Sequence, residues 1–173
     1  MTFWEKIYEE TINLSGEVEY DLSEIIVFTR VKLEKILEPV KNINSSCVNV
    51  YKFFLEEILK NSIDANINRN FFDYLKTKQI KIKIYRKENE IVFLIRDNWK
   101  WSKEVSSNEK VKSNKYLWWM WQWENNIRFF ENSIVKKYRR ISIKWWTVVI
   151  LKINTWKKLS KDEEKILKYL KIL

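Results

Sequence analysis

The chain has 173 residues, 46% of them apolar and 32% charged, with 33 Lys and Arg against 23 Asp and Glu. That length gives one domain with a single sizeable core, and a lone cysteine, Cys47, excludes an internal disulfide framework. The net charge of +10 would ordinarily point to nucleic acid. Here it accompanies an excess of Lys, Ile and Asn and a complete lack of His, the profile of an AT-rich genome, with cations spread along the whole chain. No apolar run approaches the roughly 18 residues that cross a bilayer, and no basic-then-apolar leader is visible. The expectation is a cytoplasmic protein with no membrane segment.

The first predicted element is a helix over 22–38. Asp21 or Ser23 can cap it, and Leu22, Ile25, Ile26, Leu33, Ile36 and Leu37 form its apolar stripe. Pro39 and the polar stretch after it end the helix. This segment either covers a sheet edge, the preferred reading, or forms a homodimer contact. A second helix spans 48–67, with a short helical piece near 71–76. Ile80, Ile82 and Ile84 then alternate with Lys81, Lys83 and Tyr85, a half-buried strand. Residues 86–90 make a turn, and 91–96 return as a second strand ending at Asp97. A long functional loop is expected over 98–123, a helix over 124–137, and strands over 139–144 and 147–153. A last helix starts at Ser160, where Ser160 and Glu163 have capping-box spacing. The natural way to bury this order is a two-layer α/β sandwich, a mixed and mostly antiparallel sheet with helices on one face. The expected layout is an N-terminal helical segment (1–44), a central domain (45–156) and a packed C-terminal helix (157–173).

One compositional fact stands out from the rest. The chain has ten tryptophans and one glycine, Gly16, where an average protein of this length has about twelve glycines. The tryptophans cluster as Asn98-Trp99-Lys100-Trp101, Trp118-Trp119-Met120-Trp121-Gln122-Trp123 and Trp145-Trp146-Thr147. The reading that follows is a reassigned genetic code: the gene uses UGA for glycine, and these positions are glycine in the cell.

On the second helix, Tyr51, Phe54, Leu55, Ile58, Leu59 and Ser62 share a face that packs on the sheet. Glu57, Asn61 and Asp64, followed by Ala65, lie on the opposite side. Alone, that stripe reads as a solvated helix face. With glycine restored, however, 97–101 becomes Asp-Asn-Gly-Lys-Gly, and 118–123 becomes Gly-Gly-Met-Gly-Gln-Gly at a helix start. Such boxes let backbone N–H groups approach phosphates closely. Thr147 opens the last strand with a hydroxyl able to reach a ligand.

In this order the boxes resemble the GHKL ATPases: gyrase, the heat-shock chaperones, histidine kinases and the mismatch-repair proteins. The resemblance covers about residues 48–154 and implies a Bergerat fold that binds ATP with Mg²⁺. By it, Asn61 would coordinate the Mg²⁺ that bridges the phosphates, within the helix motif that includes Asp64 and Ala65. Asp97 would take the hydrogen bond of the adenine amino group, with Asn98, Trp99 and Trp101 around the adenine and ribose. Residues 102–117 would be a lid, Trp119, Trp121 and Trp123 the phosphate-binding box, and Thr147 the Gly-Thr strand start. Glu57 would be the general base that orients the attacking water.

Two departures bear on the activity. The chain has no histidine to phosphorylate, so a histidine-kinase-like module would act in trans on a partner that supplies the phospho-acceptor or the signal. It also lacks room for the second domain whose lysine reaches the γ-phosphate in gyrase and the mismatch-repair proteins. The alternative within the family is an ATP-driven conformational switch of the mismatch-repair or chaperone type. If the tryptophans are literal, six bulky rings occupy the nucleotide's place. The chain would then be a non-enzymatic basic and aromatic module that stacks on unpaired bases, a partner class the composition otherwise disfavours.

Overall fold

The alternating isoleucines do form a strand. In β2 (Gln79–Lys87), Ile80, Ile82 and Ile84 are fully buried, while Lys81, Lys83 and Tyr85 take the other face. β3 (Glu90–Asp97) continues the buried face with Ile91, Phe93 and Ile95. The computed structural model describes residues 3–14, 22–41, 48–68, 79–97, 130–131, 133–143 and 146–169. The helical piece expected at 71–76 and the loop expected over 98–123 lie outside them.

Three further strands, β1 (Glu5–Asn13), β4 (Val135–Ile143) and β5 (Trp146–Asn154), complete a five-stranded sheet. Its order is β1-β2-β3-β5-β4, and every neighbouring pair runs antiparallel. The helices are α1 (Leu22–Lys41), α2 (Val48–Asn68) and α3 (Lys161–Tyr169). α1 and α2 lie side by side, α1 over β1 and α2 over β2 and β3. The result is the expected two-layer α/β sandwich. One core joins Leu33, Ile36 and Leu37 of α1, Tyr51, Phe54 and Leu59 of α2, the inner sheet face, and Leu167 of α3. Phe54 meets Phe130 edge-on, with ring centroids 5.5 Å apart.

The structure departs from the sequence pattern in four places, each for a physical reason. No element was expected at 5–13, where a register shift between Lys6 and Tyr8 breaks the period of two. β1 therefore hides its alternation, and residues before 45 contribute a strand as well as a helix to the core. Second, α1 passes through Pro39 to Lys41. In the last turn the missing N–H removes one bond, and little helix lies beyond to be displaced. Third, the helix expected over 124–137 does not reach 137. The Phe130 carbonyl accepts the N–H groups of Ser133 (3.2 Å) and Val135 (3.0 Å), turning the chain into β4. Phe130 and Ile134, four apart, mimic a helical stripe but are buried on either side of that turn. Fourth, the β2–β3 turn is only Glu88 and Asn89, with Glu88 at φ 49°.

At α3 the capping box forms as spaced. The Ser160 N–H donates to Glu163 Oε2 at 2.6 Å, and the Glu163 N–H donates to Ser160 Oγ at 3.3 Å.

Candidate functional site

Two apolar stripes meet in the sandwich, and both end in polar residues at the same place. Along β3 the inner face reads Ile91, Phe93, Ile95 and then Asp97; along β5, from the far end, it reads Ile153, Leu151, Val149 and then Thr147. On α2 the inner stripe reads Phe54, Leu55, Ile58, Leu59 and then Ser62. Asp97 and Thr147 are cross-strand partners. The Ser62 hydroxyl donates to Asp97 Oδ2 at 2.8 Å, which ties the helix to the strand end. Asn61, next to Ser62 on α2, is 7% exposed.

Six polar residues are buried among those described: Thr29, Asn61, Ser62, Asp97, Thr147 and Glu163. Two have local helical explanations. Thr29 Oγ1 donates to the Ile25 carbonyl at 2.7 Å, and Glu163 closes the α3 capping box. Ser62, Asp97 and Thr147 meet at one end of the β3–β5 pair, and Asn61 precedes Ser62 on α2. Burying a carboxylate, a carboxamide and two hydroxyls together is costly unless they hydrogen-bond. The fold therefore maintains a polar pocket end inside an otherwise aliphatic core.

Two of the expected site residues, Asp97 and Thr147, are thus brought together; Asn61, expected on a solvated stripe, is buried one residue before Ser62 on α2. Burial corrects that expectation: Asn61 is enclosed rather than solvated. Glu57 is not part of the cluster. Its side chain is 30% exposed and forms an ion pair with Lys60, one turn away. Asp64 and Ala65 lie on the α2 backbone beyond Asn61. Asn98, Trp99, Trp101, Trp119, Trp121 and Trp123 lie outside the described residues. Ser62 was expected only as a packing residue. Its placement at the polar end of an apolar stripe, beside Asn61, was the available signal for a second role.

Trp is the largest apolar side chain and is highly buried on average, yet the two tryptophans whose side chains are described, Trp4 and Trp156, lie outside the hydrophobic core. Trp4 and Trp156 are 40% and 64% exposed. Pairing of Ile143 with Trp146 leaves two residues, 144 and 145, to link β4 to β5. Two-residue hairpin links favour glycine, for its access to positive φ, and position 145 holds tryptophan.

A separate hollow of about 370 Å³ is lined by Ile7, Pro39, Arg86, Glu88, Asn89, Thr155 and Trp156. It sits at the other end of the sheet, about 24 Å along β3 from Asp97 at the usual strand rise. Its rim is open and polar and holds none of the buried cluster. The chain matches no protein-family model and no curated protein.

Proposed function

We propose that this chain is a Bergerat-type Mg-ATP-binding domain, a histidine-kinase-like module acting on a partner in trans, with glycine in place of its tryptophans. The observation that carries the reading is the buried polar cluster of Ser62, Asp97 and Thr147 at the end of the core, with buried Asn61 beside Ser62 on α2. A buried carboxylate that is ionised accepts hydrogen bonds and donates none. It therefore suits the exocyclic amino group of adenine and disfavours the carbonyl that guanine presents at the same place. Ser62 orients that carboxylate by donating to one of its oxygens. Thr147, opposite Asp97, adds a hydroxyl that can donate or accept.

The donor set also fits a magnesium ion held largely by the nucleotide. Among the described residues no group of three or more His, Cys, Asp or Glu could hold a metal ion. Mg²⁺ characteristically takes few protein ligands and completes its shell with phosphate oxygens and water. The Asn61 carboxamide oxygen is a hard ligand of that kind, and the ion would neutralise phosphate charge. Positions 119, 121 and 123, as glycine, would let main-chain N–H groups lie against the phosphates, and glycine at 99 and 101 would leave room for the adenine and ribose.

The position of Glu57, one turn before Asn61 and half-exposed, favours a second reading, an ATPase that drives a conformational switch. Its carboxylate is held by Lys60, so water activation would require that pair to open. The test titrates a fluorescent ATP analogue, with Mg²⁺, against the chain as written and against a form with all ten tryptophans changed to glycine. Binding by the glycine form alone, lost in Asp97→Asn and Asn61→Ala, is the expected result. Absence of binding by the glycine form ends the proposal. Radiolabel on a partner protein then marks the kinase, and phosphate release lost in Glu57→Gln marks the hydrolase.

A further inference from the structure

The cations that look scattered in the sequence gather in space. The sheet face turned away from the helices carries Val92, Leu94, Val148 and Ile150, none of which belongs to the core cluster. On β2 and β3 they are bordered by Lys81, Lys83 and Arg96, and on β4 and β5 by Lys137, Arg139 and Lys152. Two carboxylates on this face, Glu9 and Glu90, are already engaged, Glu9 by Lys6 and Lys83 and Glu90 by Lys136 and Lys152. Among the described residues no helix covers the face.

We infer that this outer sheet face docks an acidic amphipathic helix of a partner protein. An aliphatic strip with cations along both flanks is the complement of a helix whose apolar stripe is bordered by Glu and Asp. It also has the anatomy of a protein interface, an apolar centre within a charged rim. The other anionic partners fit less well. Unpaired bases stack on aromatic rings, and the centre of this face is Val, Leu and Ile, with Tyr85 beside Val92 on the neighbouring strand. A membrane surface is met by apolar groups that protrude between lipids, whereas Val148 is only 9% exposed and its neighbours are half-buried between lysine stems. The helix would form a third layer, mirroring the packing of α1 and α2 on the opposite face.

The probe is a synthetic 18-residue helical peptide with Leu at i, i+3, i+4 and i+7 positions and Glu on both flanks, labelled for fluorescence anisotropy. The whole chain should bind it, with affinity that falls as salt rises. The double charge reversal Lys81→Glu, Arg139→Glu should weaken binding at least tenfold. Both side chains are exposed, and an unchanged melting temperature shows that the variant folds. Leu94→Gln should weaken binding at all salt concentrations, since it acts on the apolar centre. A Lys-flanked peptide of the same apolar pattern should not bind. Absence of Glu-peptide binding, or binding unaffected by the double reversal, overturns the inference. So does tighter binding to a dT oligonucleotide or to phosphatidylserine vesicles than to the peptide. None of these outcomes depends on nucleotide binding, so this inference and the ATP reading fail separately.

Discussion

The β3–β5 pair carries a carboxylate near each of its ends, and the fold treats the two differently. Glu90 stands opposite Asn154 at the rim, where Lys136 and Lys152 hold it. Burial there pushes its pKa up, but hydrogen bonds from the two lysines prevail and bring it below the ordinary 4.5. Asp97 stands opposite Thr147, 1% exposed, and accepts a hydroxyl from Ser62. A rim carboxylate matched to lysines needs no further role than solubility and register. A buried carboxylate among neutral hydrogen-bonding side chains is expensive to keep, and that expense is what separates a site from a surface. The tryptophans follow the same division in sequence, since Trp99 and Trp101 come just after Asp97, and Trp145 and Trp146 just before Thr147.

The largest expected effect tests whether the apolar middle and the polar end are separable. Phe54→Ala removes a fully buried ring that packs on Phe130, and urea denaturation should show a loss of about 3–5 kcal/mol. Asp97→Asn should cost far less stability while abolishing nucleotide binding in the glycine form. If Asp97→Asn destabilises as much as Phe54→Ala, the polar end is structural and the contrast collapses. A smaller effect comes from Ser62→Ala. It removes a buried hydrogen bond to a carboxylate and should cost about 1.5–3 kcal/mol, with weaker nucleotide affinity as Asp97 loses its orientation. Ser62→Thr keeps the hydroxyl and should recover most of both.

Acid should act on the rim and β1 before it acts on the apolar core. Burial alone would raise the Glu10 pKa; hydrogen bonds from Tyr8 and Lys32, with attraction from Lys32 and Lys35, instead hold it below 4.5. Because the folded value is the lower one, the stabilisation is complete above the unfolded carboxylate range. It disappears as pH falls through the folded value. Urea midpoints should therefore drop below about pH 4.5, and Glu10→Gln should flatten that slope. A slope unchanged by Glu10→Gln would remove the β1–α1 ion pairs from the account.

How much of this was readable in the chain depends on where the local signal and the tertiary demand agree. The α2 stripe, the β2 alternation and the Ser160–Glu163 box each state their structure in a few residues, and each forms as read. β1 was illegible because a bulge puts its apolar residues out of phase, and residues 130–137 misled because a turn borrowed helical spacing. At the site, Asp97 and Thr147 were legible as polar residues terminating apolar alternation. That Asn61 is buried was not, because a helical wheel built for one sheet face shows only which residues meet that sheet, not what else encloses the helix. The basic face was missed for a related reason: its six cations come from four strands separated by up to 71 positions in sequence.

The smallest expected effect compares the two hairpins that close the same sheet. The β2–β3 turn places Glu88 at φ 49°, a left-handed conformation that costs a residue with a Cβ roughly 1–2 kcal/mol. Glycine avoids that cost but gives up more backbone entropy on folding, so the net gain from Glu88→Gly should be about 0.5–1 kcal/mol. For a domain of this size that corresponds to a rise in melting temperature of about 1–4 °C. The β4–β5 link has the same two-residue length and holds Trp145. If glycine is its proper occupant, Trp145→Gly should raise the melting temperature at least as much as Glu88→Gly does. Two-residue hairpin links favour glycine over any residue with a side chain. A loss of stability in Trp145→Gly, measured beside a gain in Glu88→Gly, would mean that the indole at 145 has a native packing role. The glycine reading of the tryptophans would then lose its structural support at the β4–β5 turn, whose length the sheet register fixes.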